Sequence, residues 1–211
     1  MLVEFVKSAA VTLLVTVDPP GLAPIFLGLT AGMTAQQRRQ VAWRATAIAF
    51  AILAVFGFVG DAVLRALGIS LAAFRIAGGL LLFYIAFEMV FELRAKRKSS
   101  LATTAVTRDH IRNVAAFPLA IPLMAGPGAI TATILLAGRA DGDPAQSLAL
   151  LIVIAAVCGA CWLVYLAADR LSALLGVTGE IVLTRLLGVI LAALAVLFVV
   201  DGVLAIGRGA Q

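Results

Sequence analysis

The stretch NVAAFPLAIPLMAGPGAITATILLAG, residues 113–138, decides the fold class of this chain. Its 26 residues carry no charge, and about 20 apolar residues are enough to cross the hydrocarbon core of a bilayer. We therefore interpret the stretch as a membrane span. Near its middle lies Gly126-Pro127-Gly128, and a proline there interrupts a helix because it removes a backbone donor and clashes with the preceding turn.

The composition of the whole chain supports this interpretation. Hydrophobic residues make up 63% of the chain and charged residues 13%, against about 25% charged in a typical soluble protein. The chain has too little polar surface for a water-soluble domain, so the lipid bilayer is its first expected partner. We predict an all-α integral membrane protein, one transmembrane domain over 1–211, with six transmembrane helices near 5–31, 41–61, 68–91, 113–137, 146–168 and 182–206.

The basic residues are arranged as in a multi-pass protein rather than as one nucleic-acid-binding face. If the N-terminus is outside, 11 of the 16 Lys and Arg residues fall on the inner side and 5 on the outer side. The positive-inside rule then places both termini outside, in the periplasm, and the basic linker 94–112 in the cytoplasm. We expect no nucleic acid as a partner.

An internal repeat relates the two halves of the sequence at an offset of 107 to 110 residues. The aligned landmarks, in chain order, are Pro20 with Pro127, Gly21 with Gly128, Asp61 with Asp169, Gly68 with Gly176, Arg75 with Arg185 and Gly78 with Gly188. Three crossings return the chain to the opposite side, so repeat two (113–211) must be inverted relative to repeat one (1–93). Inverted repeats are typical of secondary transporters, whose sites lie near the midplane between the copies.

The two proline–glycine breaks are the predicted site. Asp18-Pro19-Pro20-Gly21 lies about 14 residues into helix one, roughly 20 Å along it, and Gly126-Pro127-Gly128 lies about as deep in helix four. Each break starts a new half-helix whose N-terminus carries partial positive charge and favours anions such as a carboxylate. From the residues alone, the predicted substrate-binding set is Thr16, Asp18, Pro20, Gly21, Gly126, Pro127, Gly128, Thr131 and Thr133.

Three charged residues leave alternatives open. Asp18 either binds a substrate ammonium or carries a coupling proton, or it only caps the half-helix that begins at Pro19. Arg75 and Arg185 either form an ion pair with Asp18 or with a substrate carboxylate, or they snorkel from helix ends towards water. Gly78, Gly79 and Gly188 are interpreted as packing positions, because small residues let helices approach closely.

Three motifs make the chain resemble the MarC family of bacterial inner-membrane proteins. They are DPPGLAPIF at 18–26, FRIAGG at 74–79 and PLAIPLMAGPGAIT at 118–131. This family includes SnatA-type neutral amino acid transporters and belongs with the LysE-like exporters. The resemblance implies a carrier of small neutral amino acids such as glycine or alanine, coupled to protons or sodium or working as an exporter. Through the motifs it carries over Asp18, Gly21, Pro24, Gly126, Pro127, Gly128 and Thr131 as site residues. The second proline, Pro20, departs from the family pattern.

Other functions fit the sequence less well. A membrane thiol–disulfide shuttle needs a cysteine in each half, whereas Cys158 and Cys161 both lie in helix five. A metal transporter needs clustered acidic, His or Cys ligands, and His110 stands alone in the linker. No nucleophile–base set, phosphate loop or zinc spacing indicates an enzyme, so we expect neither metal nor cofactor. A structural or regulatory membrane role remains open, as does a homo-oligomer.

Overall fold

The computed structural model describes residues 2–94, 114–140 and 142–209, which contain helices and no strand. Arg94 is the only part of the basic linker within this range, so the other predictions for the linker, including His110, lie outside the described residues. The helices are α1 (Leu2–Val17), α2 (Pro19–Leu29), α3 (Ala35–Ala66), α4 (Leu71–Val90), α5 (Pro127–Ala140), α6 (Pro144–Leu166) and α7 (Ala168–Gly209).

The described residues hold five helices long and apolar enough to cross a membrane, or six if one bent pair counts as a span. Together α1 and α2 form the first of these, Leu2–Leu29. The all-helical integral membrane class predicted from the sequence is confirmed. Large apolar side chains remain exposed on the spanning helices, among them Phe58, Leu80, Ile152 and Leu186. Such side chains suit contact with lipid.

α3 is longer than the predicted span of 41–61 because its N-terminus carries a capping box. Thr34 Oγ1 accepts a hydrogen bond from the Gln37 backbone N–H at 3.3 Å, and the Gln37 side chain accepts one from Thr34 N–H at 2.9 Å. This reciprocal arrangement satisfies two backbone donors that a helix start leaves unpaired. The helix therefore begins six residues before the expected position.

The chain between Ala115 and Met124 is an irregular helical segment rather than a regular α-helix. Phe117 and Ile121 have extended backbone conformations, and each precedes a proline. A residue before proline is driven out of the α-helical region by contact with the proline ring. The predicted helix four at 113–137 is thus divided into this segment and α5, which meet at a bend of 56°.

Glycines bring α4 and α7 into close contact. A Cβ atom at Gly79 of α4 would lie 2.8 Å from the carbonyl oxygen of Ala195 in α7, and one at Gly188 of α7 would lie 3.1 Å from that of Ala86 in α4. A Cβ at Gly78 would lie 2.6 Å from Thr131 Cγ2 of α5. The prediction that these glycines are packing positions is confirmed.

Gly79→Ala should lower the free energy of unfolding by about 1–3 kcal/mol, because the added methyl meets backbone atoms that cannot rotate away. The matched control is Gly159→Ala in α6, where a Cβ has no neighbour within 4 Å and alanine should be neutral or favourable. Thermal unfolding of both variants in the same detergent measures the difference. Equal unfolding temperatures for the two would contradict the close packing of α4 on α7.

Candidate functional site

The first break is made by Asp18, which separates α1 from α2. Its backbone is left-handed, with φ 61° and ψ 64°, and its carboxylate accepts a hydrogen bond from the Gly21 N–H at 3.3 Å. Asp tolerates the left-handed region better than most residues, and Pro19 and Pro20 suit the first helical positions because they lack the donors left unpaired there. Asp18 is 2% exposed. The aspartate therefore both turns the chain and caps α2.

The second break lies at Ala125 and Gly126, between the irregular segment and α5. The Ala125 N–H donates to the carbonyl of Ala120 at 2.8 Å, which closes the segment before the chain turns. A Cβ at Gly126 would collide with the carbonyl oxygen of Pro122, so only glycine fits the turn. Pro127 then begins α5.

A cavity of about 290 Å³ opens at the second break. Four predicted site residues line it: Thr16, Gly126, Pro127 and Gly128. The rest of the wall is mostly apolar and comes from α4, the irregular segment and α5, with Arg94 as the charged exception. It consists of Leu81, Tyr84, Ile85, Arg94, Pro122, Leu123, Met124 and Ala129. The volume lies just below the roughly 300–1,000 Å³ usual for ligand sites.

The other predicted site residues do not line this cavity. Asp18 and Gly21 are buried and Pro20 and Pro24 half-buried in and around α2, which follows Thr16 in the chain. The hydroxyl of Thr133 donates to the Ala129 carbonyl of its own helix at 2.8 Å. The site membership of all these residues, Thr131 included, stays a prediction.

Neither arginine pairs with Asp18 in the described part of the chain, and this corrects one of the alternatives above. Arg75 Nη2 donates to the carbonyl of Gly138 at 3.4 Å, near the end of α5. Arg185 forms an ion pair with Glu92 and is about half exposed. The observed partners of both arginines therefore lie away from the first break.

Arg94 is the residue that sequence reasoning missed. The sequence predicts that it is a topology signal in the cytoplasmic linker, yet its side chain is buried, at 6% exposed, and lines the cavity. Arg94 Nη2 donates to the carbonyl of Thr16, and Nη1 lies 2.9 Å from Met89 Sδ. The available signal was its position, four residues after the last residue of α4, where a long side chain folds back onto the bundle.

A second cavity, of about 600 Å³, lies at the other end of α5. Ala137 and Gly138 of α5 line it together with Asp61 and Arg65 of α3, which form an ion pair at 2.6 Å. The second cavity is bordered by Ser70 and Ser147, each near the start of its helix. α5 thus runs from one cavity to the other.

The cysteines and acidic residues form no reactive cluster in the described ranges. Cys158 and Cys161 are buried, and neither forms a disulfide in the described part of the chain. No group of three or more His, Cys, Asp or Glu residues within 2–94, 114–140 and 142–209 is arranged to hold a metal ion.

The all-helical fold, with five or six helices able to cross a membrane among the described residues, defines a multi-pass integral membrane protein. Comparison with known proteins agrees, because residues 3–206 match the MarC family integral membrane proteins. The chain is 37% identical to a UPF0056 membrane protein of Archaeoglobus fulgidus over 199 residues, covering 94% of this chain and 92% of the relative. It is 35% identical to the UPF0056 membrane protein YhcE of Escherichia coli over 193 residues, covering 92% and 89%.

A third relative, a UPF0056 membrane protein of Aquifex aeolicus, is 37% identical over 202 residues, which cover 95% of this chain and 92% of the relative. No solved structure matches the chain. The chain belongs to the MarC family of integral membrane proteins.

Proposed function

We propose that this protein is a secondary transporter of small neutral amino acids and that the 290 Å³ cavity is its binding site. Substrate crosses unchanged, without a cofactor. One observation carries the proposal: a small cavity sits where a helix starts inside the membrane bundle, with a buried arginine on its wall. Irregular backbone at membrane depth is tolerated where it is buried in protein or lines a cavity, and such breaks form the sites of many secondary transporters.

The cavity walls suit a small amino acid. The first backbone N–H groups of α5 and the Arg94 side chain favour a carboxylate. Leu81, Ile85 and Leu123 leave an apolar space for a short side chain. Asp18 does not line this cavity, and it remains the proposed carrier of a coupling proton, with Gly21 and Pro24 of the same half-helix as further proposed site residues.

We further propose that the chain consists of two inverted repeats with their broken helices facing each other. Two features support this arrangement. The aligned glycines Gly68 and Gly176 both adopt positive φ, at 69° and 57°. The contact of α4 with α7 is reciprocal, since Gly79 of α4 meets α7 and Gly188 of α7 meets α4.

The proposed location is the inner membrane of a bacterial cell, with both termini in the periplasm. In that orientation the loops at 30–34 and 167 face the cytoplasm and those at 67–70 and 142–143 face outwards. Attachment of a membrane-impermeant thiol reagent to single cysteines placed at Gln36 and Gln146 tests this orientation. Labelling of intact cells at position 36 but not at 146 would reverse it.

Reconstitution of the full chain into liposomes tests the transport proposal. We expect uptake of glycine or alanine in counterflow, and a change in uptake when a proton or sodium gradient is imposed. Empty liposomes provide the baseline, and alkylation of the cysteines should leave uptake unchanged. If no neutral amino acid crosses under any gradient, the proposal fails and a structural or regulatory role takes its place. Loss of activity on alkylation would instead favour a thiol-based function.

A further inference from the structure

The side chain of Arg94 is held in place at the end of α1. Its Nη2 donates to the carbonyl of Thr16, one of the last carbonyls of α1. Since the helix stops at Val17, that carbonyl has no helical partner. The contact of Nη1 with Met89 Sδ fixes the other arm of the guanidinium. The cation is therefore positioned before any substrate enters.

Two features of the described cavity lining favour an anion. No acidic residue stands among its described lining residues, and Arg94 is the one cationic side chain in that set. The start of α5 adds partial positive charge on the same wall. Burial strengthens the interaction of a charge with an anion, because little water is present to screen it.

We propose that Arg94 binds the carboxylate of the transported molecule, so that the site selects small molecules with a free carboxylate over the corresponding amines and amides. This inference rests on the proposed transport function. Arginine suits the role because its planar fork matches the two oxygens of a carboxylate. Gly128, near the start of α5, lines the same cavity and limits the size of the bound molecule.

Structural capping of α1 is the competing role for Arg94, and the two roles differ in what they predict. A cap needs only a donor to the Thr16 carbonyl, which glutamine or lysine supplies. Carboxylate binding needs the positive charge and, for full strength, the two-pronged geometry. Substrate selectivity therefore separates the two roles, whereas stability alone does not.

The test measures counterflow of radiolabelled alanine in liposomes containing the full chain, with unlabelled alanine, alaninamide and ethylamine as competitors. For the wild-type protein we expect competition by alanine only. Arg94→Gln should raise the KM for alanine by about 10- to 100-fold and bring the inhibition constants of alanine and alaninamide close together. Arg94→Lys should lie between the two. Arg39→Gln, at an exposed position on α3, is the matched control and should resemble the wild type.

The outcomes separate this inference from the function on which it rests. If the wild type moves no amino acid, the transport proposal fails. If the wild type moves alanine but alaninamide competes equally well, carboxylate recognition is overturned without reference to any variant. If Arg94→Gln keeps the wild-type KM and selectivity, Arg94 is only a cap. Thermal unfolding of each variant shows whether it folds. If Arg94→Gln does not fold, Arg94→Lys provides the test: a raised KM for alanine supports carboxylate binding, and a wild-type KM overturns it.

Discussion

Asp18→Ala should lower the free energy of unfolding by about 2–3 kcal/mol. Two losses add to this figure: the hydrogen bond from Gly21 N–H to the carboxylate, worth about 1 kcal/mol as a helix cap, and the left-handed backbone, which costs alanine about 1–2 kcal/mol. Asp18 is fully enclosed by protein, so water does not replace the lost cap. Thermal unfolding in detergent measures the effect.

Asp18→Asn provides the matched comparison, because asparagine caps helices and tolerates the left-handed region about as well as aspartate. Its unfolding temperature should stay near that of the wild type. Any loss of transport in this variant then reports on the negative charge alone. We expect a clear fall in the rate of alanine uptake, or a loss of its pH dependence. A variant that keeps both would exclude proton coupling through Asp18 and leave it as a cap.

The positions of the two breaks were predictable from local chemistry. Prolines followed by glycine inside long apolar runs leave a helix no regular continuation, so Asp18 and Gly126 were identified without any tertiary information. The capping box at Thr34 and Gln37 and the extended residues before Pro118 and Pro122 also follow from local rules. The predicted helix limits follow the apolar runs alone, so they include neither the capping box nor the extended residues before the prolines.

Which predicted residues share a cavity was not predictable in the same way. Thr16 and Gly128 meet because α1 packs beside α5, a contact made across more than 100 residues of chain. The burial of Arg94 was also not predictable locally. In the sequence it is the first of the basic residues of the linker, whereas its side chain packs inside the bundle. The alignment of the repeats pointed to Gly128, which lines the cavity, but suggested nothing about Arg94, which lies outside both aligned segments.

Gly128→Val should reduce alanine uptake roughly 10- to 100-fold while the protein still folds. A Cβ at this position points at the end of the Ile85 side chain and lies 3.4 Å from Thr16 Cγ2, so the larger residue occupies the cavity. The end of a flexible side chain can move aside, and the cavity offers room for it. The clash therefore falls on the substrate rather than on the backbone.

Two other glycines make this result interpretable. Gly159→Val in α6 adds the same side chain where a Cβ has no neighbour within 4 Å, and it should leave uptake unchanged. Gly126→Ala adds less volume but meets the backbone carbonyl of Pro122, which cannot rotate away, so it should destabilise the protein. If Gly128→Val transported alanine as fast as Gly159→Val, the substrate would have to pass elsewhere, and the 600 Å³ cavity at the other end of α5 would become the better candidate for its binding site.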